Sequence, residues 1–199
     1  DGPIIQASSQ MAIENGVNLP WILETVIDIR TKSEIPIALM GYINPIIKYG
    51  LNTFIIDCKD SGVDGLIIPD LPLEEADQFV KKSKENSICP ILFVAPTTPN
   101  NRIKEISKLA GELIYCVAIL GITGNQSSNN DELKSYLSRV NKYSVCPYIV
   151  GFGIKERDDV ININNMAHGA VIGSAIIKEI EKKGDAVGCI KNYIERLYS

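Results

Sequence analysis

A chain of 199 residues, 45% of them hydrophobic, is long enough to bury one sizeable core. Lys and Arg total 20 against 24 Asp and Glu, giving a net charge of −4 with no basic block, which argues against nucleic acid and against an anionic membrane surface. No apolar run reaches the ~18 residues of a membrane-spanning helix, and the five scattered cysteines form no CxxC pair, so a reduced compartment is expected and a metal site is not.

The chain opens on DGPIIQ with nothing resembling a signal peptide, which reads as a removed N-terminus or a piece of a longer chain. Asp1–Ile5 is expected to be a loop, because Gly2 and Pro3 interrupt regular structure. Gln6–Asn15 reads as a short helix stopped by Gly16. A second helix starts at Leu19-Pro20 and runs to about Lys32, with Ile22, Val26 and Ile29 at helical spacing and Trp21 packing.

From there one unit repeats at roughly 25 residues, an apolar run of strand length followed by an amphipathic helix. The runs are Ile35–Tyr42, Asp64–Asp70, Cys89–Ala95, Leu113–Ile119, Cys146–Val150 and Ala170–Ile172. The helices are Leu51–Ser61, Leu73–Ser87, Asn101–Ala110 and Asp131–Tyr143, a polar segment after Gly153, then Ile176–Lys183 and Asp185–Leu197 split by Gly184. Strands apolar throughout are buried on both faces, and their alternation with helices makes a parallel sheet in a single α/β domain, residues 1–199. Six strands are counted where a closed (β/α)8 TIM barrel needs eight. Two glycine turns, GFG at Gly151–Gly153 and GSA at Gly173–Ala175, follow the last two strands. A barrel builds its phosphate site there, so the first two strands are the ones expected to be missing. A doubly wound sheet is the alternative, although it usually carries its glycine turn after the first strand.

Glycine lets backbone N–H groups approach a ligand, and a helix beginning near Ser174 adds unsatisfied amides. Gly151, Gly153, Gly173 and Ser174 are therefore expected to hold a phosphate; the plainer reading is that they only turn the chain. Strand ends offer Tyr42, Asn44, Asp70 and Tyr115 for chemistry. Asp70 reads as an acid–base group or, on spacing, as the cap of the LEEAD helix. The segment Leu120–Asn130 reads as a lid or a plain connection. His168, the one histidine, is read as structural, and Ser8 and Ser9 have no histidine partner for a triad.

The ordered set DGPIIQ, LMGYINP, GVDGLIIPDLPLEE, the Tyr115 strand leading to GITG, then GFGI and GSAI resembles the tryptophan synthase alpha chain family over essentially the whole sequence. The resemblance implies a lyase of tryptophan biosynthesis that cleaves indole-3-glycerol phosphate by a retro-aldol reaction to indole and glyceraldehyde 3-phosphate. It implies no metal and no cofactor on this chain, with pyridoxal phosphate on a partner beta chain in an alpha2beta2 heterotetramer, in cytoplasm or plastid stroma. It gives Asp1 to the indole N–H and Tyr115 to the catalytic site. Gly124, Gly151, Phe152, Gly153, Gly173 and Ser174 fall to the phosphate, Thr123 to the lid, Met40 and Ile67 to the indole pocket. Asn44, Asp70 and Pro72 fall on the face toward the beta chain. The sequence departs from the family in two ways. The proton-shuttling Glu, on a strand just before DGPIIQ, is not among these residues, so the 199 residues alone should not turn over. Ala118-Ile119-Leu120 is also more apolar than usual before GITG. Other phosphate-binding barrel enzymes, and a non-catalytic binder of a beta chain, are the alternative readings.

Overall fold

The computed structural model describes residues 2–118, 126–151, 153–182 and 184–198. Helix α1 (Pro3–Glu14) starts earlier than expected. Pro3 occupies the first turn, where its missing N–H costs nothing, so it initiates the helix rather than breaking the chain. The helix stops before Gly16, whose φ of +86° suits glycine. Helix α2 (Leu19–Arg30) is capped by the Asn18 side chain, which accepts from the Trp21 N–H at 3.0 Å. Its buried residues are Leu23 and Val26. Trp21 is 51% exposed, so the expectation that it packs is corrected: it sits on the outer face of a helix whose core stripe lies elsewhere.

Strand β1 (Ala38–Met40) is followed by two helices, α3 (Ile43–Tyr49) and α4 (Leu51–Ser61), with Gly50 between them. Then come β2 (Gly65–Ile67), a 3-10 turn (Leu73–Glu75) leading into α5 (Ala76–Glu85), β3 (Cys89–Val94) and α6 (Asn100–Ala110). The chain continues through β4 (Ile114–Val117), α7 (Gln126–Tyr143), β5 (Tyr148–Gly151) and α8 (Arg157–Asn164). It ends in β6 (Gly169–Val171), α9 (Ser174–Ile180) and α10 (Ala186–Tyr198), with Gly184 at φ +119° before the last helix. Helix α7 begins five residues ahead of the expected Asp131, so part of the expected loop is helical; the rest, 120–125, lies outside the described residues.

The six strands pair in sequence order, all parallel. A doubly wound sheet would reverse direction at its switch point, and this order does not, so the arrangement is an arc of a barrel. Burial follows position in the arc. All three residues of β2 are buried, β4 and β5 alternate buried with half-buried residues, and β1 and β6 at the rims have none buried, so the expectation of strands buried on both faces holds fully for β2 alone. Helix α1 has no buried residue of its own and packs on α9.

The core lies between the strands and the helix ring, around Ile55, Phe79, Ile103, Ile114, Leu137 and Val150. Arg30 pins α2 to the amino ends of the first strands: its guanidinium donates to the carbonyls of Gly62 (2.8 Å), Ile35 (2.6 Å) and Ser33 (3.3 Å) and pairs with Asp64. Asp64 in turn accepts from the Ile37 N–H at 2.7 Å.

All five cysteines are free thiols. Burial pushes the thiols of Cys58 and Cys116 up to about 12 from an ordinary 9.0. The folded state therefore keeps protons that the unfolded chain releases, so the contribution is complete below pH 9 and lost as the pH climbs toward 12. We expect the melting temperature to fall between pH 9 and 11, and a Cys58→Ala/Cys116→Val variant to fall less steeply. Parallel pH profiles of the two proteins would disprove the assignment.

Candidate active site

Because every strand runs the same way, all carboxyl ends open on one side, where β4 and β5 with the segments after β1, β2, β5 and β6 meet. Met40, Gly41, Tyr42, Pro69, Tyr115, Gly151, Gly153, Val171, Gly173 and Ser174 line one cavity there, of about 490 Å³, and Ile5 and Ser9 of α1 close it from above the sheet. The two glycine turns, far apart in sequence, thus share a wall with Tyr115 and Met40. No ionised side chain lines this cavity among the described residues. An anion here would be bound by backbone N–H groups and hydroxyls: those of the first turn of α9 have no intrahelical acceptor, and Gly153, at φ +55°, turns its backbone in the left-handed region.

Tyr115 fixes the middle of the cavity. Strand register sets it opposite Ile149, yet its ring leans toward the carboxyl end and lies over Gly151. A Cβ on Gly151 would stand 2.0 Å from the phenol oxygen and 2.7 Å from Cζ, so no side chain fits. Phe93 supports the ring from the next strand, centroid to centroid at 4.9 Å. Burial pushes the phenol above its ordinary 10.0, which keeps it protonated and able to donate near neutral pH.

The other expected site residues separate. Met40 is 52% exposed at the rim. Ile67, its partner in register, is only 8% exposed, and it lines a neighbouring apolar cavity of about 640 Å³ that Met40 shares, among α1, α2, β1 and α3. Asp70 is corrected as a cap. It does not cap the LEEAD helix; its Oδ1 accepts from the Ile43 N–H at 2.9 Å and so closes the start of α3, beside Asn44. Pro72 precedes the 3-10 turn. These three residues stand outside the cavity lining. His168 is structural as expected: its Nδ1 accepts from the Tyr148 N–H at 3.4 Å, and the two rings meet edge-on. Asp1, Thr123, Gly124 and Phe152 lie outside the described residues. Among the described residues no group of three or more His, Cys, Asp or Glu could hold a metal, and no helix is long and apolar enough to cross a membrane.

The sequence reading missed Ile5 and Ser9. They are four residues apart on one helix face, a spacing visible once Pro3 is taken as a helix start.

A family model described as tryptophan synthase alpha chain matches residues 1–197. The tryptophan synthase alpha chain of Petrotoga mobilis is 45% identical over 196 residues, covering 98% of this chain and 76% of that protein. Among solved structures, a mutant tryptophan synthase alpha-subunit from Pyrococcus furiosus superposes with a TM-score of 0.89 at 34% identity, covering 100% of this chain and 80% of the other. A chain of the tryptophan synthase complex from the same organism gives 0.88 at 32% identity, with the same coverage.

Proposed function

The chain belongs to the tryptophan synthase alpha chain family, lyases that cleave indole-3-glycerol phosphate to indole and glyceraldehyde 3-phosphate, and we propose that the cavity around Tyr115 is where this chain holds that substrate. The observation that carries the proposal is the shared wall of Gly151, Gly153, Gly173 and Ser174 with Tyr115 and Met40. The glycine turns, with Gly124 and Phe152, take the phosphate through backbone N–H groups. Met40 at the rim and Ile67 behind it take the indole. Thr123 belongs to the lid.

Cleaving the C–C bond needs a proton on indole C3 and a base at the glycerol hydroxyl. Asp1 stays ionised against the indole N–H and stabilises positive charge growing on the ring, while Tyr115 supplies a protonated phenol beside the reacting carbons. The proton shuttle is a carboxylate from a strand preceding Asp1. Two βα units, placed against the β1 and β6 rims, complete the eight-stranded barrel and bring that carboxylate. A polypeptide of these 199 residues alone therefore binds the phosphate portion without turnover.

A beta chain is the family's partner. We place it against Asn44, Asp70 and Pro72 in an alpha2beta2 heterotetramer, with pyridoxal phosphate on the beta chain only.

The test joins the two upstream βα units of a relative in frame and follows indole release from indole-3-glycerol phosphate. The joined protein should release indole, and Asp1→Asn should abolish release while leaving glyceraldehyde 3-phosphate binding nearly intact. A joined protein that binds a beta chain but releases no indole would make this chain a non-catalytic partner.

A further inference from the structure

A second hollow, of about 380 Å³, lies between the start of α8, α9 and α10. Its lining includes four cations, Lys155, Arg157, Lys178 and Arg196, and two carboxylates, Glu156 and Glu179, in a chain whose net charge is −4. Both carboxylates have partners, though neither loses its charge. Glu156 accepts from the Asp159 N–H in a capping box. Glu179 pairs with Lys182 at 2.5 Å and, more loosely, with Arg196 at 3.9 Å. Lys155, Arg157 and Lys178 make no ion pair among the described residues, so against Glu156 and Glu179 the four cations leave the lining with an excess of two positive charges.

The backbone that carries Lys155 is held in place. The Lys155 N–H donates to Asp159 Oδ2 at 3.0 Å, and the Lys155 carbonyl accepts from the Tyr193 hydroxyl at 2.8 Å. Tyr193 is only 6% exposed. Its ring also carries the Arg196 guanidinium, 5.8 Å from the centroid. One buried tyrosine thus anchors the loop bearing Lys155 and lies beneath Arg196. The backbone frame is therefore set before an anion arrives, and only the exposed side-chain tips must order around it.

We propose that this hollow is a second anion site, which takes a compact small-molecule polyanion of the diphosphate type. A monoanion would leave half of that excess unopposed, whereas a diphosphate carries enough charge to match it, and arginine forks suit O–P–O edges. The site is separate from the cavity around Tyr115, which has no cationic side chain among its described lining, and it stands whether or not that cavity is catalytic.

The probe is inorganic pyrophosphate, titrated into the isotopically labelled 199-residue chain and followed by backbone amide resonances, with sodium chloride at matched ionic strength as the control. Pyrophosphate should move the amides of 155–158 and 193–197 saturably, and sodium chloride should not. Arg157→Gln/Lys178→Gln, two exposed changes that spare the fold, should weaken that binding by about tenfold or more. Gly151→Ala, which alters the other cavity and lies outside α8, α9 and α10, should leave it unchanged. Resonances that do not saturate at millimolar pyrophosphate, an equal response to chloride, or unaltered affinity in the double variant would overturn the proposal.

Discussion

Gly151→Ala should lower kcat/KM for indole-3-glycerol phosphate by roughly 10²-fold or more in the protein joined to its upstream units, the scale expected when a reacting group is displaced by about 1 Å. The new methyl would occupy the position 2.0 Å from the Tyr115 oxygen, so the ring must swing off the strand or the strand must part from its neighbour. The ring is the cheaper to move, because β5 is paired on both sides. The global fold should therefore persist while the phenol leaves the cavity. Adding Tyr115→Ala removes the clash, and the double variant should regain the phosphate affinity of Tyr115→Ala alone, a non-additivity that only direct contact produces. If Gly151→Ala keeps wild-type kinetics, the phenol is not held over that glycine and the catalytic reading of Tyr115 fails.

Arg30→Ala should reduce unfolding free energy by about 2–4 kcal/mol without touching any of the three hollows. The ion pair is the minor part of this, since the Asp64 side chain is 56% exposed and water replaces the cation cheaply. The larger part is three backbone carbonyls, of Gly62, Ile35 and Ser33, that lose a charged donor where α2 meets the sheet. Arg30 is itself only 18% exposed. Lysine cannot span these acceptors with one ammonium, so Arg30→Lys should recover less than half of the loss. Urea unfolding of the three proteins decides the matter; a loss well under about 1 kcal/mol for Arg30→Ala would mean that water already serves those carbonyls.

The alternation of strand and helix was legible because strands inside an arc are apolar throughout while the helices around them are not. Helix α4 could be read to the residue, since Gly50 and Gly62 bracket it. The parallel arc followed from the same alternation, and the glycine turns named a cavity that the fold then assembled. What escaped was set by contacts between distant residues. Asp70 looked like a cap for the helix just after it, but its partner is 27 residues upstream. Helix α3 hid inside INPIIKY, whose Pro45 suggests a turn and is in fact tolerated in a first turn. Trp21 carried no local mark that its face of α2 looks outward. Ile5 was overlooked because two breakers ahead of it hid the first turn of its helix, and Ser9, on the expected helix Gln6–Asn15, was weighed only for a triad.

Helix α1 leaves the ribosome long before the helix it leans on. Its seat, α9, begins at Ser174, and until that segment is made α1, which buries no side chain of its own, has no helix to lean on. The wall bearing Ile5 and Ser9 is thus synthesised well before its seat, and the cavity exists only once Gly173 and Ser174 have been made. Nascent chains stalled before that point can already form the inner strands, but they have no pocket to offer.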